Sequence, residues 1–150
     1  MASNNDFYQN LRDKIVNWAN SDDGRTNSIT EYILLVPDFF YLLIKLIVDD
    51  RVGVKEKAVL GLAIAYFVSP IDLIPEAIFG PIGYADDLIV AAKACLYIIN
   101  HSGEEVVRDC WPGEDDVLTA VKKVLDSIDE IIPNDIFNKL KKLFSFFEES

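Results

Sequence analysis

The sequence predicts an all-α protein, a compact bundle of six to seven helices around a central apolar helical hairpin. Three observations predict it. Apolar residues recur at helical spacing along most of the 150 residues, with no strand-like alternation of useful length and no internal repeat. Two segments, at about 54–68 and 84–99, are apolar on nearly every side, the pattern of helices without a solvent face. The stretch joining them is rich in proline and glycine, so the chain must bend there and bring the two helices together.

Each element follows in order. Over 4–20, Phe7, Tyr8, Leu11, Ile15 and Trp18 form one apolar stripe on a polar helix, and 20–27 is loop by composition. Ser28 and Glu31 make a capping box that opens a long apolar helix, which Pro37 bends or restarts and Gly53 stops. From Val54 a charged turn leads into AVLGLAIAYFV, expected to be the most buried helix of the fold. It should pack antiparallel to 88–99, with Gly61, Ala63, Ala65, Ala91, Ala92 and Ala94 allowing close approach. Ser102 and Glu105 form a second capping box opening a helix over 103–111, ended by Pro112 and Gly113. Val117, Leu118, Val121, Val124, Leu125, Ile128, Ile131 and Ile132 trace an amphipathic helix over 115–132. Glu114, Asp115 and Asp116 stand at the positive end of its dipole. A last helix, 134–148, carries Ile136, Phe137, Leu140, Leu143, Phe144 and Phe147, with Lys139, Lys141 and Lys142 beside them. The length suits one domain spanning 1–150.

Composition narrows the function classes. A hydrophobic content of 51% excludes low-hydrophobicity disorder for most of the chain. A net charge of −11 argues against nucleic acid, whose phosphates need a basic face, and suits a basic protein partner or plain solubility. Cys95 and Cys110 form no CxxC pair, and His101 alone cannot complete a zinc site, so both are expected as reduced, buried thiols of a cytoplasmic environment. The N-terminal residues lack a basic-then-apolar leader pattern, so no secretory signal is expected. The longest apolar stretches, 39–48, 58–68 and 88–99, are shorter than the roughly 18–20 residues of a membrane-spanning helix.

The unusual stretch is FVSPIDLIPEAIFGPIGYADD, residues 67–87. Ser69 as N-cap, Pro70 at the first helical position and Asp72 two residues on satisfy orphan amides at a helix start. Pro75 pushes Ile74 out of helical conformation, and Gly80, Pro81 and Gly83 break the chain again before Asp86 and Asp87. Capping and dipole complementation account for the carboxylates. The sharper alternative is that Asp72, Glu76, Asp86 and Asp87 converge on a hard divalent cation or a partner. No nucleophile elbow and no phosphate-cradling glycine loop occurs, and His101 reads as a helix-end capping residue, so no catalytic residue and no cofactor is expected.

These residues resemble the YkvA-like family, a small helical domain of unknown function. Tyr66, Ser69, Pro70, Asp72, Leu73, Ile74, Pro75, Glu76, Gly83, Tyr84, Asp86, Asp87 and Leu88 fill its signature positions, and Lys57 stands at its usual lysine. The resemblance covers about 39–99. It implies a helix, a kinked loop and a helix as the core, with no catalytic residue to carry over, and a related segment in certain membrane-bound RING-type ubiquitin ligases. The leading functional expectation is a non-catalytic interaction or scaffold protein that binds a protein partner through its acidic surface or its C-terminal helix. The alternatives are a membrane-associated protein with a re-entrant hairpin, and a divalent-metal enzyme using Asp72, Glu76, Asp86 and Asp87.

Overall fold

A computed structural model describes residues 4–22, 25, 30–68, 85–131, 138 and 141. Among the described residues all regular structure is helical: α1 (Asn4–Ala19), α2 (Thr30–Ile33), α3 (Val36–Ile47), α4 (Val54–Val68), α5 (Ala85–Ser102), α6 (Glu104–Cys110), α7 (Val117–Asp126) and α8 (Ile128–Ile131). The all-α expectation holds. Ser28 of the expected capping box, and the expected helix over 134–148 except Asn138 and Lys141, lie outside the described residues.

α1 buries Leu11 and Ile15 of its predicted stripe and packs on α3. α2 and α3 are one bent helix. Proline cannot donate a backbone hydrogen bond, and with Pro37 in the first turn the chain breaks at Leu34 and Leu35 and restarts at Val36. α3 ends at Ile47, short of Gly53. The cause is Asp49, whose carboxylate accepts the Arg51 backbone N–H at 2.9 Å and its guanidinium at 2.9 and 3.0 Å, a local turn that competes with the helix.

α5 is the hub, and α2, α3, α4, α6, α7 and α8 all pack against it. Twelve of its 18 residues are buried. α4, expected to be the deepest helix, is instead a flank. Val59, Leu60 and Ala63 face inward, while Val54 is 88% and Leu62 36% exposed, and Ala58 and Ala65 also face solvent. Hydrophobic periodicity cannot orient a helix that is apolar all round, and small alanines are cheap to expose. Ala63, Ala91, Ala92 and Ala94 are buried as expected of close helix packing. Ala65 is exposed, and a Cβ on Gly61 would meet only Ile47 on α3, at 3.9 Å.

α5 also runs beyond its predicted end, through His101 to Ser102. Gly103 then adopts φ 92°, a left-handed conformation glycine enters without penalty, and α6 starts with no side-chain cap. Ser102 therefore closes one helix instead of capping the next. The predicted helix over 115–132 is α7 and α8, interrupted at Ser127. Asp116 caps α7, accepting the Thr119 backbone N–H at 3.3 Å. Its stripe is as expected where described, with Val117, Val121, Val124 and Ile131 buried and Leu118, Leu125 and Ile128 packed on the same core, and Ile132 lies outside the described residues. Among the described residues no helix is long and apolar enough to cross a membrane.

Candidate functional site

Two aspartates of the predicted motif lie in the described structure, and they are sealed inside it. Asp86 and Asp87 occupy the first turn of α5 and are 0% and 1% exposed. The Tyr66 hydroxyl, near the end of α4, donates to Asp86 Oδ2 at 2.6 Å. Moving a carboxylate from water into a protein interior costs several kcal/mol. The helix dipole returns at most about 2 kcal/mol. The hydrogen bond from Tyr66 adds to that and ties the end of α4 to the start of α5. Neither aspartate is without an interaction partner. First-turn placement follows the capping argument, but complete burial does not, since capping acids ordinarily stay at the surface. Asp72 and Glu76, with Ser69, Pro70, Pro75, Gly83 and Tyr84, lie outside the described residues. No group of three or more potential metal-ligating side chains occurs among the described residues.

A second tyrosine–aspartate pair was not singled out from the sequence. Tyr8 on α1 donates to Asp38 Oδ1 in the first turn of α3 at 2.8 Å. This pair borders a groove of about 530 Å³ between α1, the α2–α3 bend and the corner at Trp111 to Asp115. Burial raises the Asp38 carboxyl above its ordinary value; Tyr8 and the Arg12 guanidinium oppose the shift, and the Glu114 charge adds to it. Burial and the Asp38 bond push the Tyr8 phenol up to about 12. The available sequence signals were an acid following a helix-restarting proline and the carboxylate run after Pro112 and Gly113. Their meeting with Tyr8 is tertiary.

The remaining chemically capable side chains are quiet. Cys95 is buried, and burial lifts its thiol far above the ordinary range. Cys110, expected buried, is only half-buried because α6 ends there; burial and the nearby Asp49 charge raise its thiol too. Neither is a ready thiolate nucleophile at neutral pH. His101 stacks on Tyr97 at 4.0 Å, and its Nδ1 lies 2.9 Å from the Tyr97 carbonyl oxygen. A carbonyl only accepts, so Nδ1 carries the proton, and the imidazole serves the end of α5 as predicted.

Residues 56–92, running from α4 into the first turns of α5, match the model of a family described as a protein of unknown function (DUF1232). Over 91 residues the chain is 29% identical to the uncharacterized protein ORF9 of Methanothermobacter thermautotrophicus, covering 61% of this chain and 60% of that protein. A 36-residue segment is 53% identical to the E3 ubiquitin-protein ligase RNF170 of Xenopus laevis, covering 24% of this chain and 14% of the ligase. The corresponding Xenopus tropicalis ligase is 50% identical over the same length. These matches span less than two thirds of each relative. No solved structure matches the chain. The similarity to the DUF1232 family thus falls on the α4–α5 hairpin that the Tyr66–Asp86 bond ties together.

Proposed function

We propose that the chain is a non-catalytic helical interaction protein of the YkvA-like type, in which the motif aspartates hold the hairpin and the acidic surface recognises a protein partner. The observation that carries this reading is the burial of Asp86 and Asp87 with Tyr66 bonded to Asp86 across two helices. A carboxylate sealed in this way fixes helix geometry. The short match to the RNF170 ligases adds support, since a similar segment there occupies a small part of a longer protein.

Thermal melting with and without divalent metal tests the reading. Asp86→Asn should lower the melting temperature by the same amount in EDTA and in excess magnesium, manganese or calcium. A metal bound only by the folded state adds about 2.7 kcal/mol of stability at a hundredfold excess over its dissociation constant. A wild-type melting temperature that rises with one of these ions, and a rise that Asp86→Asn abolishes, would replace this reading with the metal-site alternative. One observation favours a second reading: Val54, Ala58, Leu62 and Ala65 give α4 an apolar outer face that could rest on a lipid surface. Full recovery in the soluble fraction after a carbonate wash of membranes would exclude insertion, and failure to float with anionic vesicles would exclude docking.

A further inference from the structure

We propose that the groove between α1, the α2–α3 bend and the corner at Trp111 receives a lysine or arginine side chain of a partner polypeptide. This deepens the function proposed above by naming where and by what chemistry the partner docks, and it rests on that reading. At about 530 Å³ the groove is in the size range of small-ligand sites. It can hold one long side chain and its neighbouring backbone.

Its walls suit an apolar stem. The Tyr8 ring is backed edge-on by Tyr41 at 5.1 Å, and the Trp111 ring by Phe39 at 5.0 Å. The Trp111 indole N–H donates to the Asp115 carbonyl at 2.7 Å, which fixes the ring. Gly113 allows that placement: a Cβ there would lie 2.6 Å from the indole. Both walls are therefore preorganised, which reduces the entropy lost on binding.

The polar lining suits a cationic head. The acidic residues Asp38, Glu114 and Asp115 line the groove beside the single guanidinium of Arg12, and the Glu114 charge acts on Asp38. Asp38 Oδ1 is engaged by Tyr8, and no described residue donates a hydrogen bond to Oδ2. A half-buried carboxylate with one open oxygen gains more from an arriving cation than a fully solvated one does. Aromatic faces attract the same cations, and the chain already uses that contact next door, where Lys45 Nζ lies 5.5 Å from the Tyr41 ring centre. An anionic ligand would meet net repulsion from this lining.

NMR titration of the full chain with the peptide acetyl-Gly-Ala-Lys-Ala-Gly-amide tests the proposal, with the norleucine analogue as the uncharged control and n-butylammonium as the free-amine control. The expected result is saturable movement of the Trp111 indole and Tyr8 signals with the lysine peptide. Asp38→Asn and Glu114→Gln should each weaken binding about fivefold or more. Gly113→Ala, which crowds the indole, should weaken it as well. Asp126→Asn removes an exposed charge on α7, and should stay within about twofold of wild type.

Four results would overturn the proposal. One is the absence of saturable shifts up to about 10 mM peptide. The others are equal binding of the norleucine peptide, equal weakening by Asp126→Asn, and butylammonium binding as tightly as the peptide. Shifts of the same signals on concentrating the protein alone would assign the groove to a second copy and likewise overturn it. The outcome separates from the reading it rests on. An inert groove with metal-independent destabilisation by Asp86→Asn removes this inference alone, whereas metal-dependent melting removes the underlying reading.

Discussion

Two tyrosine–aspartate pairs stand at helix starts in this chain, built from the same chemistry and placed in opposite surroundings. In one, Tyr66 donates to Asp86 at 2.6 Å inside the core, at the junction of α4 and α5. In the other, Tyr8 donates to Asp38 at 2.8 Å on the border of an open groove. Where water is excluded, the aspartate's charge must be met by protein groups, and losing one leaves the rest uncompensated. Where solvent reaches the carboxylate, the bond positions it and contributes little to stability. On the reading proposed above, the first pair holds the fold and the second meets another molecule.

The largest effect should come from the sealed pair. Asp86→Asn keeps the shape but puts an amide in place of the sealed carboxyl group that Tyr66 bonds, and should destabilise by about 2–4 kcal/mol in urea unfolding. A loss under about 0.5 kcal/mol, the range of ordinary surface substitutions, would break the contrast. Tyr66→Phe removes one donor to a buried carboxylate and should cost about 1.5–3 kcal/mol by the same measurement. Tyr8→Phe removes the equivalent donor at the groove and should cost no more than about 1 kcal/mol.

The smallest effect, and the one with the most telling sign, concerns Asp38. Its raised carboxyl pKa means that the folded chain holds this proton more tightly than the unfolded chain does. Ionisation of Asp38 therefore opposes folding, and its cost develops as pH rises from the ordinary carboxylate value through the raised one. Asp38→Asn should match or exceed wild-type stability at pH 7, by about a few tenths of a kcal/mol, and lose that advantage at pH 3. A variant clearly less stable than wild type at pH 7 would make Asp38 a structural residue like Asp86. An acid kept at some expense to stability is what a binding role produces.

How much of this was legible in the sequence depends on the range of the interaction. The helical class, the restart at Pro37, the acids at the start of α7 and most of its apolar stripe are local, and all read correctly; that Asp116 alone supplies the cap is seen only in the structure. Helix ends failed where a side chain or a glycine competed locally: Asp49 stopped α3 early, and the left-handed Gly103 let α5 run through Ser102. The relative depth of α4 and α5 was illegible because both are apolar on all sides, and only packing decides which becomes the hub. Asp86 and Asp87 were recognised as first-turn acids, yet their sealing depends on how α5 sits among its neighbours. Asp38 was missed because its partner lies 30 residues away on another helix.

The central claim, that Asp86 is a structural tie between α4 and α5, is tested most directly by a double-mutant cycle. Unfolding free energies of wild type, Tyr66→Phe, Asp86→Asn and the double variant give the coupling between the two groups. The account predicts a coupling of about 1 kcal/mol or more, identical in EDTA and in millimolar magnesium. Additive single effects, or a coupling that appears only with metal present, would contradict it.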